Sequence, residues 1–244
     1  MKQLEKIQTL TDITIGKYID SYLKWAFTLP ILRDQLIIDS LKEKPNGPFG
    51  IQFLRLELYL AFLLALSNVI SDSDDRAASI CNIIRHAHKP KAKELLRRAF
   101  TAPMSKDRIV FVGGFSDKSK DIYVQNKIAD YQTEHEDLFD KNFDQVIEAA
   151  SKLLESKLVK KVRDVRDKTI SHYEMRSNDG HMKLVSIEDL GLKWDDGITL
   201  YRKTKPIMEN LGLYIRSTGY AFDFSEEDQT RLGKSIWSTG APIA

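Results

Sequence analysis

Val165-Arg166-Asp167-Lys168-Thr169-Ile170-Ser171-His172-Tyr173-Glu174 closes a long helical periodicity. Upstream, from near Glu134, the residues Phe139, Phe143, Val146, Ile147, Ala150, Leu153, Leu154, Leu158, Val162 and Val165 recur at three- and four-residue steps. That spacing predicts one apolar face of an amphipathic helix. Arg166 and His172 follow where the pattern frays, with five residues between them. On an ideal helix this six-residue offset sets two side chains about 120° apart. The pair therefore meets only if the helix bulges there, or if a second copy of the chain supplies half of the site.

The rest of the chain is of a kind that folds around such a helix. Its 244 residues suffice for one large domain, or for a core domain with a helical addition. Apolar content of 42% with 30% charged residues describes a globular chain, not a disordered or fibrous one. The net charge of +2 announces no polyanionic partner, but local charge does. From Arg85 to Arg98, the cations Arg85, Lys89, Lys91, Lys93, Arg97 and Arg98 face only Glu94. From Glu155 to Lys168, the cations Lys157, Lys160, Lys161, Arg163, Arg166 and Lys168 face Glu155, Asp164 and Asp167. Either cluster suits a phosphate backbone, and either is equally an ordinary solvated helix face.

The single cysteine, Cys81, excludes an internal disulfide and fits a reducing cytosol. Its neighbours Ile80, Ile83 and Ile84 predict a buried, inert thiol. Met1-Lys2-Gln3-Leu4-Glu5-Lys6 lacks the apolar core of a signal peptide. Ile51 to Ile70 is the most apolar window, but Arg55 and Glu57 interrupt it, so it reads as a core helix, not a membrane span. A cytoplasmic protein without a membrane partner is expected.

In chain order, Leu4 to Leu29 reads as a helix ended by Pro30. Ile31 to Lys44 reads as a second helix, broken by Pro45-Asn46-Gly47-Pro48. Gly50 to Ser71 is the central apolar helix, and Ser71-Asp72-Ser73-Asp74-Asp75 offers caps for a helix from Arg76 to Ala87. Lys91 to Phe100 is a short helix. Ile109-Val110-Phe111-Val112, before Gly113-Gly114, is either a short strand or an ordered loop. Lys118 to Ser171 carries one helix or two, and Arg176 to Gly180 reads as a turn. Asp195 or Asp196 caps a last core helix, and Ser225-Glu226-Glu227-Asp228 opens a short terminal one. The resulting fold class is all-α.

Several chemistries are disfavoured. His86 and His88 stand two apart, a spacing that suits neither face of a helix, and no Cys or Glu/His cluster completes a zinc site. No metal and no cofactor is expected. The chain has no Gly-x-Ser-x-Gly, Walker or dinucleotide motif, which argues against hydrolase, NTPase and dehydrogenase activities.

The run from Arg166 to His172 resembles the motif of the HEPN superfamily, an Arg and a His four to six residues apart with a polar residue after the Arg; Asp167 fits. Tyr59-Leu60-Ala61-Phe62-Leu63-Leu64-Ala65-Leu66, with Asp75-Arg76-Ala77-Ala78-Ser79-Ile80, resembles the first core helix of the AbiU-type abortive-infection branch. Ser186-Ile187-Glu188-Asp189-Leu190-Gly191-Leu192-Lys193-Trp194-Asp195 resembles that branch's link into its last core helix. The similarity spans roughly Gly50 to Tyr220. It implies a HEPN-like antiparallel helical bundle over 49–222, accessory helices over 1–48, and a C-terminal helix and tail over 223–244.

The resemblance also implies metal-independent RNA cleavage by a toxin or abortive-infection effector. Such a reaction needs a proton acceptor with a pKa near neutrality, for which His172 is the candidate. It needs a permanent cation against the phosphate, for which Arg166 is the candidate, with Asp167 orienting it or, across a dimer, groups of the other copy. Lys161, Arg163, Lys168 and Tyr173 are the expected RNA contacts. Family nucleases sometimes carry a Tyr two residues after the His; here Glu174 holds that place and Tyr173 comes one earlier. A homodimer and an antitoxin or other neutralising protein are the implied partners. The alternatives are a catalytically silent HEPN module that binds RNA, a nucleotide or a protein, and a helical scaffold.

Overall fold

The structure, a computed structural model, describes residues 2–102, 117–170, 175–178, 181–184, 191–220, 222 and 226–237. Among these the elements are α1 (Lys2–Arg33), α2 (Gln35–Lys42), α3 (Gly47–Ser71), α4 (Ile80–Ala87), α5 (Pro90–Phe100), α6 (Asp117–Glu155) and α7 (Lys157–Val165). A π-helical turn (Arg166–Ile170) follows, then β1 (Met175–Asn178), β2 (His181–Leu184), α8 (Asp196–Arg216) and α9 (Glu226–Trp237). The chain is the all-α bundle that its periodicities predict.

Helix α3, apolar on every side from Leu58 to Leu66, forms the centre. It runs antiparallel to α1: Trp25 meets Phe62 with ring centroids 5.1 Å apart, and the Arg55 Nε donates to the Ile31 carbonyl at 2.6 Å. Helix α8 also lies antiparallel to α1. Gln8 reaches the Ile215 carbonyl at one end, Tyr18 stacks on Tyr201 at 4.5 Å in the middle, and Arg33 pairs with Asp195 at the other end. Residues 1–48, expected as accessory, contribute Ile7, Tyr18 and Trp25 of α1 to the same core as Phe62, Phe139 and Met208. Each of these large side chains is fully buried, worth about 1.5–3 kcal/mol apiece. Helix α3 is also long and apolar enough to cross a membrane, yet its far half lies within this core.

Several helix boundaries differ from the sequence reading, each for a local reason. Pro30 does not end α1; it sits inside the last turn, where its missing N–H leaves only the Ala26 carbonyl without its usual donor. Helix α9 packs there instead. A Cβ built on Gly233 would lie 2.0 Å from the Ala26 carbonyl oxygen and 2.7 Å from the Pro30 ring, so only glycine permits this approach. The Trp237 indole then donates to the Phe27 carbonyl at 2.8 Å. The second helix begins at Gln35, not Ile31, because the Asp34 carboxylate caps it, accepting from the Leu36 and Ile37 amides. Helix α4 begins at Ile80, not Arg76. Its cap is Ser79, and the buried Asn82 amide donates to the carbonyls of Asp74 and Ala77, fixing the preceding residues as a loop. Cys81 is half-exposed, because Ile80, Ile83 and Ala87 take the buried face of α4.

The turn expected over Arg176–Gly180 is largely strand. β1 pairs antiparallel with β2, with Met175 opposite Leu184 and Asn178 opposite His181. Asp179 and Gly180, which separate the two strands in sequence, lie outside the described residues, as do Ile109–Val112 and Gly113-Gly114. Asp-Gly between short extended runs is a hairpin signal that the turn reading underweights.

Two outcomes test this packing. Gly233→Ala should destabilise the chain by about 1–3 kcal/mol in chemical denaturation, because the added methyl forces α9 away from the Ala26 carbonyl. Asp34 bonds Lys234 at 2.7 Å, and that bond, with the amide caps of α2, holds its carboxyl below the usual carboxylate range. Its contribution is present above the unfolded value of about 3.9 and is lost as pH falls through the lower folded value. The stability gap between wild type and Asp34→Asn should therefore shrink in urea titrations taken below about pH 4.

Candidate functional site

Ser156 divides the long helix that the sequence left as one or two. Its backbone leaves helical geometry, and its hydroxyl accepts from the Val159 amide at 3.3 Å, capping α7. Within α7, Val159, Val162 and Val165 are buried, while Lys157 and Lys160 are exposed. Lys160, Arg163 and Arg166 follow at three-residue steps along the flank between these faces. Buried valines thus pin the helix and leave its cations along the edge.

At Arg166 the backbone widens into the π-helical turn. Such turns place one extra residue in the helix and recur at functional sites. A widening of the helix, one of the two ways in which the Arg/His spacing could be bridged, is thus present at the Arg end. The Arg166 side chain is 22% exposed, and its Nε donates to the Asp167 carboxylate at 2.8 Å. Among the described residues its two terminal nitrogens have no partner, so the fork that grips a carboxylate or phosphate is open. Asp167 holds the guanidinium by its inner nitrogen. His172, Tyr173 and Glu174 lie outside the described residues.

The two basic clusters of the sequence are not equivalent. Around α5, Arg85 pairs with Asp75, Lys93 with Asp144 at 2.7 Å, and Arg98 with Glu94 at 2.7 Å. Arg97 bonds both Asp140 and Glu136 at 3.0 Å, and these carboxylates, Asp140 first, make its guanidinium still harder to deprotonate. Lys93 and Arg97 thereby clamp α5 to α6, while Lys89 and Lys91 have no carboxylate partner among the described residues. Along α7, by contrast, Lys157, Lys160, Arg163 and Lys168 have no carboxylate partner among the described residues. Arg163 even leaves its Nε buried without an acceptor. The Lys161 ammonium donates to the Gly191 carbonyl at 2.6 Å, which ties α7 to the segment before α8. The site residues Lys161, Arg163, Arg166, Asp167 and Lys168 therefore share one short segment. Lys157 and Lys160 belong with them, and their shared periodicity with Lys161 and Lys168 was the available signal.

That segment before α8 is held from α3. The buried Tyr59 hydroxyl donates to the Lys193 carbonyl at 2.8 Å and accepts from the Gly197 amide at 3.2 Å. Burial pushes the phenol up, so it remains a donor. Gly197 is needed here because a Cβ would come within 2.7 Å of the Phe62 ring. His135 is half-buried: its ring stacks on Tyr131 at 3.7 Å and bonds the Tyr131 carbonyl, a structural role. Among the described residues no three His, Cys, Asp or Glu side chains group as a metal site.

A family profile described as AbiU2 matches residues 57–235, from the middle of α3 into α9, and the chain belongs to this HEPN family of abortive-infection modules. No curated protein and no solved structure matched the chain.

The Tyr59 bridge carries a direct consequence. Tyr59→Phe leaves the Lys193 carbonyl and the Gly197 amide without their buried partner, and should cost about 1–3 kcal/mol in urea unfolding. Leu63→Ile on the same helix, which keeps the volume, should cost less than about 1.5 kcal/mol.

Proposed function

We propose that this chain is a metal-independent endoribonuclease of the abortive-infection type, which grips RNA along α7 and cleaves it at Arg166 and His172. What supports the reading is the open guanidinium fork of Arg166, held by Asp167 at the end of a helix whose cations lack carboxylate partners, in a chain of the AbiU2 family. In the proposed reaction the 2′-hydroxyl of a ribose attacks the adjacent phosphorus. His172 takes the hydroxyl proton, the new 2′-O–P bond forms, and the P–O5′ bond breaks. The products are a cyclic phosphate and a 5′-hydroxyl, whose proton comes from the imidazolium or from water. Arg166 stabilises the charge that builds on the phosphoryl oxygens. Only RNA carries this internal nucleophile, so the chemistry selects RNA over DNA without reading bases. Lys161, Arg163, Lys168 and Tyr173 are the proposed RNA contacts, joined by Lys157 and Lys160. The protein is proposed to act in the cytoplasm, as a homodimer with its motif segments near a two-fold axis, and to be restrained by an antitoxin or other neutralising protein.

Purified wild type should cleave total RNA with EDTA present, and His172→Ala should not, while retaining RNA in a filter-binding assay. Arg166→Ala should weaken both steps. Equal cleavage by wild type and His172→Ala, or none by either at high protein concentration, favours the silent RNA-binding module.

The two basic clusters give a second test. Replacing Lys157, Lys160 and Lys161 together by Ala should lower the slope of log K against log salt for single-stranded RNA by about 2. Lys93→Ala should leave that slope unchanged, because its ammonium is engaged by Asp144. An unchanged slope in the triple variant would remove α7 from the RNA path.

A further inference from the structure

We infer that Trp194 is a stacking platform for an unpaired nucleobase of the RNA strand that the cations of α7 hold. The inference deepens the RNA-binding reading above and rests on it; what it adds is a preference for single strands. An indole is large and mostly apolar, and a folded chain usually covers it. Trp194 is instead 40% exposed, on the segment that leads into α8. The apolar residues nearest to it in sequence, Leu192 and Ile198, are buried, so Trp194 stands out among the exposed polar residues Lys193 and Asp195. The ring is also braced. Tyr59 packs against it with centroids 4.9 Å apart and ring planes tilted by 52°. The Tyr59 hydroxyl holds the backbone on both sides of Trp194, at the Lys193 carbonyl and the Gly197 amide. An aromatic ring fixed in this way loses little freedom when a base stacks on it.

The occupant follows from the charges around the ring. Asp195 is paired with Arg33, and the Asp196 carboxylate accepts from the Lys193 amide at 2.9 Å, so both acidic neighbours of the indole are engaged. The Lys193 ammonium has no carboxylate partner among the described residues, and the same holds for Lys157 and Lys160 of α7. Helix α7 is close by. Lys161 donates to the Gly191 carbonyl, three residues before Trp194, and three residues span at most about 10 Å. Single-strand binding grooves hold about 4–16 nucleotides, so one strand reaches both the lysines and the indole. A tryptophan that anchors a protein partner sits at the centre of a packed patch. A nucleobase needs only a π-face beside cations for its phosphates, and that is the arrangement at Trp194. In a duplex each base is already stacked between its neighbours, so this contact is open to unpaired strands alone.

Titration with 2′-O-methyl RNA oligonucleotides tests this, because a blocked 2′-hydroxyl cannot attack and the probe survives. Trp25 is buried and the Trp237 indole is bonded to Phe27, so quenching of tryptophan fluorescence by a single strand should come from Trp194. Trp194→Leu, which keeps an apolar contact for Tyr59, should bind the single strand about tenfold more weakly. Its slope of log K against log salt should match wild type, since no charge is lost, and its affinity for a duplex should be unchanged. Trp194→Phe should lose the quenching yet bind within a few fold of wild type; this arm holds even if Trp194→Leu fails to fold. Equal single-strand affinity in Trp194→Leu and wild type overturns the inference, as does an equal loss for single strand and duplex, which marks a structural role. Binding without quenching in wild type overturns it too. Quenching by the single strand, in a protein that never cleaves natural RNA, would keep the platform and reject the nuclease. Cleavage at equal rates by wild type and Trp194→Leu, with no quenching, would reject the platform and keep the nuclease.

Discussion

The close approach of α3 and α8 at Gly197 is the constraint on which the rest of the bundle depends. Phe62 presses on the backbone there so tightly that any side chain at 197 would collide with its ring. Tyr59, one turn earlier, uses its hydroxyl to hold the carbonyl of Lys193 and the amide of Gly197 together. Trp25 packs on the same Phe62 ring and fixes α1. One turn of one helix thus sets the positions of α1, α8 and the segment that leads into α8. Because Lys161 binds that segment at Gly191, the same turn also sets how far α7 stands from the core.

Electrostatics then separates two stretches of similar composition. Arg85, Lys93 and Arg97 around α5 are held by acidic residues from α6 and from the loop before α4, distant in sequence but adjacent in space. Exposed pairs of this kind contribute little each, about 0–1 kcal/mol, but they leave those charges poorly available to a polyanion. The cations of α7 have no such partners among the described residues, and Arg163 carries a buried donor that nothing meets. Their field is therefore not neutralised by a carboxylate among the described residues.

The π-turn is the local counterpart of that arrangement. Val159, Val162 and Val165 commit α7 to the core until the helix widens at Arg166. Arg166 stays partly sheltered, and Asp167, the next residue, neutralises only its inner nitrogen. A guanidinium held at Nε with its outer nitrogens open is oriented without being consumed, which is what recognition of a phosphate requires.

Much of the fold was legible in the chain itself. The three- and four-residue recurrence from Phe139 to Val165, the apolar run of α3 and the break at Pro45–Pro48 follow from helix periodicity and proline chemistry, which are local. The ordered residues around Arg166, Tyr59 and Gly191 likewise carried the family. Boundaries were misread where a distant partner decided them: Pro30 is tolerated because α9 covers its turn, and α4 starts late because Asn82 staples the loop before it. The β1–β2 pairing was a local signal and simply underweighted. For the site, sequence placed Arg166, Asp167 and the lysines of α7 on one helix end, since neighbours at helical spacing share a face. It did not separate the free basic cluster from the paired one, nor single out Tyr59. Those outcomes depend on which carboxylates and carbonyls tertiary packing brings within about 3 Å, and spacing along a chain carries no information about that distance.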